Sequence, residues 1–445
     1  MRRIMVGGRL KQLLVRTRSS LWFVPALVVL ANVLLAIGLV EVDRYRGEFL
    51  RAWWPRLFAT EAEGARSMLS AIASSMATIA GVVFSITMVA LALASNQYTS
   101  RVMRNFMRDR ANQVVLGIFI GVHLYCLLVL RSVGGSKGAF VPSSAVLAAV
   151  ILALLASGAF IYFVHHISVT IQASEMARAI ARETLDAIDR ACADREDHTG
   201  HGPPVPESHG VRWHTIPSEQ WGFLQTVAEA HLLKFAIEND AIVRMEYGPG
   251  EFVSRGHPLL SVAMARAPDE DMVAALTGMY GIGAFRTIDE DPGFGIRQLV
   301  DMALKALSPG INDTTTAVTC MEHLGMVLES CALNNLDARH QYDGDVLRVV
   351  AKGAGFRALL RLAFAQIIES AGGNTEIMKL LLSIIRAIAT LETRPEVYFA
   401  LGEQVEVIEE VARNTAKSRT AHSELVAAVG MARAAIAAGT RQAAA

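Results

Sequence analysis

Four long stretches in the first 174 residues carry no Asp, Glu, Lys or Arg: Leu21 to Val40, Ser67 to Ser100, Ala111 to Leu130 and Gly138 to Ser174. Each supplies the roughly 20 residues needed to cross about 30 Å of hydrocarbon, which predicts spans near 21–40, 70–95, 112–131 and 144–165. Four spans put both ends of the chain on one side. From Ser168 to Asp194 the apolar residues Ile171, Met176, Ile180, Leu185 and Ile188 recur among charges, so the fourth helix is expected to continue beyond the membrane. Residues 195–210, REDHTGHGPPVPESHG, combine glycine with three prolines and read as a linker.

The hydrophobic period then shortens. Strand-like runs at Val211–Ile216, Ala241–Tyr247 and Leu259–Ala263 flank the turn segment PGEFVSRGHP. Beyond residue 268 the pattern is helical near 270–280, 293–307, 313–332, 355–371, 374–392 and 395–437, with one strand-like run at Val346–Ala351. The expected fold class is an α-helical membrane protein with four transmembrane helices and a cytoplasmic α+β domain, a small β-module plus helices. Along the chain this gives a basic cytoplasmic N-terminus (1–20), a transmembrane domain (21–167), a helical extension with linker (168–210), the β-module (211–267) and a mainly helical domain (268–445).

Composition supports this division. Hydrophobic residues make up 52% of the 445 and charged residues 19%, with a mean hydropathy of +0.35, which excludes disorder and an ordinary soluble protein. The net charge of zero hides an asymmetry: residues 1–170 hold 17 Lys and Arg against 6 Asp and Glu, and the remainder 25 against 36. Arg2, Arg3, Arg9, Lys11, Arg16 and Arg18 before the first span, and Arg101, Arg104, Arg108 and Arg110 between the second and third, assign both segments to the cytoplasm. The loop between the first two spans has five arginines of its own, accompanied by five acids from Glu41 to Glu63. A cleaved signal over residues 1–40 is the alternative; no clear small-x-small site closes that run. Cys126, Cys192, Cys320 and Cys331 form no CxxC pair and suit neither a disulfide framework nor zinc.

Candidate chemistry is sparse. In the second span Ser70, Ser74, Thr78, Gly81 and Ser85 share one helix face, fit either for close helix packing or for a water-lined path of hydroxyls. Apart from Arg131 at the very end of the third, no Asp, Glu, Lys or Arg falls inside the spans so placed, which counts against a proton-coupled transporter. His123, near Tyr125 and Cys126, reads as a packed neutral histidine or a relay, and His165 and His166 as interfacial residues. Arg101, Arg104 and Arg108 lie on one helical side beside the membrane and suit anionic lipid headgroups, at about 1 kcal/mol per basic residue. In RTIDEDPGFGIRQLVDMALKALSPGINDTTTA, from 286 to 317, Asn312 or Asp313 can cap the following helix. The same segment offers Arg286, Asp289, Asp291, Arg297 and Asp301, groups for a cation or anion site if folding gathers them.

Two resemblances add to this. AIVRMEYGPGEFVSRGHPLLSVA resembles half of a biotinyl- or lipoyl-type barrel sandwich, yet residues 241–270 contain no lysine to carry a cofactor. ALASNQYTSRVMRNFMRDR, RMEYGPGEFVSRGHPLL and FGIRQLVDMALKALSPGINDTTTA together resemble the bacterial predicted membrane proteins grouped as domain of unknown function family 2254. That resemblance implies a multi-span inner-membrane protein and carries no catalytic residue with it; Thr314 stands where the family often has proline.

The leading functional expectation is a homo-oligomeric channel or conduit with a cytoplasmic regulatory domain. A non-enzymatic membrane sensor or scaffold is the alternative. An enzyme ranks third, because HExxH, Walker and GxGxxG patterns are absent from the sequence. The expected partners are the bilayer, its anionic headgroups and further copies of the chain, with no cofactor and no nucleic acid.

Overall fold

The computed structural model describes residues 22–53, 61–97, 109–134, 140–170, 172–193, 212–336, 340–371, 373–391, 394–415 and 418–443, with backbone alone for 46–53 and 94–97. The chain divides into two compact units, Met1–Gln172 and Ala173–Ala445.

The first unit contains helices α1 (Phe23–Trp53), α2 (Ala62–Gln97), α3 (Arg110–Ser132) and α4 (Ser143–Thr170). All four contain a window long and apolar enough to cross a bilayer. All four run past the predicted spans, α1, α2 and α3 into charged sequence, and for α1 the candidate span itself reaches Tyr45. α1, α2 and α4 all pack on α3, which is the most buried of the four. Its sequence explains why: Gly117-Ile-Phe-Ile-Gly121 sets two glycines on one face. A Cβ at Gly117 would come within 3.0 Å of Pro25 Cα and Val28 Cβ, and one at Gly121 within 2.6 Å of Asn32 Nδ2. The missing side chains are what let α1 and α3 approach backbone to backbone. Polar links join the remaining helices. His123 Nδ1 meets the Ala73 carbonyl at 2.9 Å, Arg66 Nη2 donates to the Val133 carbonyl at 2.8 Å, and His166 Nε2 meets Asp109 Oδ2.

The second unit opens with α5 (Ala173–Ala193), a separate helix rather than a continuation of α4. Then come β1 (Trp213–Pro217), β2 (Gly222–Val227), α6 (Glu229–Glu238), β3 (Ile242–Met245), β4 (Phe252–Val253), β5 (Pro258–Ala263), α7 (Glu270–Thr277) and β6 (Tyr280–Gly283). Helices α8 (Pro292–Leu307) and α9 (Thr314–Leu333), strands β7 (Gln341–Asp343) and β8 (Val346–Val350), and helices α10 (Phe356–Ser370), α11 (Thr375–Ala389), α12 (Pro395–Thr415) and α13 (Arg419–Ala443) complete it.

These strands build a five-stranded sheet in the order β1-β5-β3-β8-β7 and a three-stranded sheet in the order β4-β2-β6. β3 runs antiparallel to β5 and parallel to β8, so the strand-like run at 346–351 joins the same sheet as the 241–247 run. Val243, Met245, Leu260 and Val262 alternate onto the face that packs with Leu232, Ala236 and Leu224 in one apolar core. Among the helices, α8 packs on α5, α9 and α10, and α11, α12 and α13 pack on one another. The single helix expected over 395–437 is two. Ser418 accepts the Ala421 N–H at 3.1 Å and starts α13 afresh, and α13 folds back on α12 with Arg433 reaching Glu409 at 2.6 Å.

Candidate functional site

On α2, the buried line is Ala65, Leu69, Ala73, Met76, Val83 and Ala90. Ser70, Ser74, Thr78, Gly81 and Ser85 all fall on the exposed side of the helix. The Thr78 hydroxyl donates to the Ser74 carbonyl at 3.0 Å, and a Cβ at Gly81 would meet nothing within 4 Å. The five therefore take no part in the packing of the bundle itself. Arg101, Arg104 and Arg108 lie outside the described residues.

In the second unit, two motif segments about 40 residues apart in sequence meet. Gly250, in the turn between β3 and β4, takes φ +84°. A Cβ there would fall 2.0 Å from Asp291 Oδ2 and 3.0 Å from Arg286 Nη2. Arg286 grips Asp291 Oδ2 through Nη2 at 2.7 Å and Nε at 2.9 Å, and its guanidinium lies 5.2 Å from the centre of the Phe294 ring. Asp291 Oδ1 accepts the Phe294 N–H at 3.2 Å, capping α8 ahead of Pro292. Burial pushes the Asp291 carboxyl above its ordinary range, with the Arg286 charge and hydrogen bonds and the Phe294 and Gly293 amides acting the other way. Next in sequence, Glu290 Oε2 accepts the Val227 N–H at 2.9 Å and so ties this segment to β2.

Farther along α8, Arg297 pairs with Asp301 at 2.8 Å within the same helix. At the other end, Asp313 caps α9: Oδ1 accepts the Thr316 N–H at 3.0 Å and Oδ2 its hydroxyl at 2.6 Å. These bonds hold the Asp313 carboxyl below its ordinary value. Asn312 does the turning, at φ +49°, a conformation asparagine tolerates better than most residues. Because the 16-residue α8 is about 24 Å long, Asp291 and Asp313 sit at opposite ends of it. The RTIDEDP and SPGIND segments thus form two structural caps with an ion pair between them. Asp289 is exposed.

Other reactive side chains are subdued. Burial pushes the Cys320 and Cys331 thiols up to about 12 and holds His323 toward its neutral form. Among the described residues there is no group of three or more His, Cys, Asp or Glu that could hold a metal ion.

Several residues of the first unit escaped the sequence reading. Gly117 and Gly121 were legible as a GxxxG pair. Asn112, 7% exposed with neither amide atom hydrogen-bonded, left no local signal. Asp43 lies just beyond the apolar run, yet α1 carries it inside the bundle, where it is 4% exposed.

No solved structure matches the chain. Uncharacterized proteins of Mycobacterium tuberculosis (strain H37Rv) and Mycobacterium bovis are each 32% identical to it over 356 residues, 77% of this chain and 67% of theirs. A family model described as predicted membrane protein (DUF2254) matches residues 18–387. With four candidate spans, the motif segments and this match in agreement, the chain belongs to the DUF2254 family of predicted membrane proteins.

Proposed function

We propose that the chain is an integral, multi-pass protein of the bacterial inner membrane, both termini cytoplasmic, that assembles as a homo-oligomeric channel or conduit, with the second unit as its cytoplasmic regulatory domain. The observation that carries this reading is the outward placement of Ser70, Ser74, Thr78, Gly81 and Ser85. Small residues on an outer helix face let a neighbouring helix approach closely, and hydroxyls there can line a wet path between copies. Outward Leu34, Leu154 and Ile161 elsewhere on the unit suit a hydrocarbon surround. Reconstituted protein should give ion or solute flux that falls when Ser74→Leu and Thr78→Val are combined, and cysteines at positions 74 and 81 should cross-link copies. A protein that forms no flux under any tested gradient would overturn the conduit.

The sensor or scaffold reading has its own support. Trp221, Phe252 and Phe285 are large apolar side chains exposed on or beside the three-stranded sheet, a surface suited to a protein partner. Trp221→Ser and Phe285→Ser should then abolish capture of a specific cytoplasmic protein by the full chain, while flux stays absent in the parent protein.

A further inference from the structure

We propose that the outward face of α13 is a self-association surface, through which two copies of the chain pair antiparallel. The inference goes beyond the conduit reading, in which copies meet through α2. The inner line of α13, Leu425, Val429, Ala432 and Gly439, is buried, and the helix packs on α11 and α12. Packing there is tight, since a Cβ at Gly439 would fall 2.7 Å from the Ala389 carbonyl oxygen. The outer line differs. Val426 and Met431 are 53% and 51% exposed, and Ala427, Gly430, Ala434 and Ala438 beside them are exposed as well. Between Val426 and Ala438 the one exposed charge is Arg433, and it is turned to Glu409 at 2.6 Å. The neighbouring helices show the usual outward chemistry, with Glu396, Glu406 and Glu410 on α12 and Glu376 and Arg386 on α11. A continuous apolar helix face that breaks this pattern marks an interaction surface.

Charge identifies what covers it. Glu424, Ala427, Met431, Ala434, Ala438 and Arg441 are all exposed and follow one another at alternating steps of three and four residues, the spacing of a seam between two helices. Read backwards, the seam complements itself. An antiparallel second copy sets Glu424 against Arg441, Ala427 against Ala438 and Met431 against Ala434, each contact occurring twice about the two-fold axis. Opposite charges then meet at both ends, and at the centre a long side chain faces a small one. A parallel copy would instead oppose Glu424 to Glu424 and Arg441 to Arg441, repulsive at both ends. Both terminal groups are placed to take part. Glu424 gives Oε2 to Lys379 at 3.0 Å while its side chain stays half exposed, and the exposed Arg441 reaches back only as far as the Ala437 carbonyl, at 3.2 Å through Nε.

The test uses the full chain in detergent. Chains carrying Ala427→Cys and chains carrying Ala438→Cys are purified separately, mixed and oxidised, with the parent chain as the baseline for the native cysteines. The mixture should give a disulfide-linked dimer whose peptides join positions 427 and 438. Neither variant alone should give it, because equal positions lie about 16 Å apart along an antiparallel pair. Adding Met431→Glu should cut the linked yield at least tenfold. Glu424→Arg or Arg441→Glu should each cut it several-fold, and the two together should restore it. Met431→Glu should leave the cross-linking of positions 74 and 81 as it is in the parent, so loss of this contact and loss of the α2 contact are read separately. No linked dimer in the mixture, or links formed by either variant alone, would overturn the antiparallel pair. Quenching of a fluorophore at position 431 by spin-labelled lipid in reconstituted vesicles, without a linked dimer, would overturn it by assigning the face to the bilayer.

Discussion

A methyl group at position 250 would have no room. Its Cβ would collide with the Asp291 carboxylate, and the backbone there is left-handed, which costs a non-glycine residue about 1 kcal/mol. Gly250→Ala should therefore destabilise the second unit by about 2–4 kcal/mol, read as a lower unfolding midpoint in denaturant. Asp313 makes a gentler prediction. Asp313→Ala should cost about 1 kcal/mol, and Asp313→Asn less, because the amide oxygen can still cap α9. The sign of the pH effect follows from the lowered folded-state value. Asp313 contributes stability above its ordinary 3.8 and loses it as pH falls through the lower folded-state value. Melts of Asp313→Asn should lack that share of the acid-side decline. Asp291 works the other way: with its carboxyl raised, ionisation opposes folding as pH climbs from 3.8 through the folded-state value. The cap at Asp313 was legible because capping is local, needing a side chain and an amide three residues on; Asp291, read only as a group for an ion site, caps α8 by the same rule. The embrace of Gly250, Arg286 and Asp291 was not legible, since only the tertiary fold joins segments 40 residues apart.

Helices with unbroken apolar runs announced themselves, as did the strands β1, β3, β5 and β8; β2, β4, β6 and β7 did not. Leu224, Ala228, Leu232 and Phe235 keep a three-to-four-residue spacing, so β2 and α6 share one helical rhythm that hides the change between them. β6 is four residues, two of them glycine, and offers almost no pattern. The α1–α3 contact supplies the prediction at this scale. Gly121→Val should force apart helices that meet at Asn32, costing about 1–3 kcal/mol and lowering the melting temperature of the purified protein. Gly81→Val, on the open side of α2, should leave the melt of an isolated protomer almost unchanged while weakening any association between copies. If the two variants behave alike, the division of α2 and α3 into inner and outer glycines is mistaken.

At the scale of the whole molecule, the proposed topology has four crossings with both ends on one side, and the basic segments are what support placing that side in the cytoplasm. Reporter fusions within 54–60 and 135–139 should read outside and one at Asp109 inside; the reverse pattern would overturn the orientation. Family membership rests on motifs spread over both units, and they proved readable because several are turns and caps whose residue types the backbone dictates. The parallel pairing of β3 with β8 has a consequence for how the chain is made. During synthesis β3 leaves the ribosome about 100 residues ahead of its partner, which at 5–20 residues per second means roughly 5–20 s with one edge unpaired. For that interval the nascent sheet presents an open row of N–H and C=O groups, a template for misassociation with neighbouring chains. Chains released at residue 340 should therefore aggregate or be digested more readily than chains released at residue 391, and the ribosome-bound intermediate should be a preferred client of chaperones that shield strand edges.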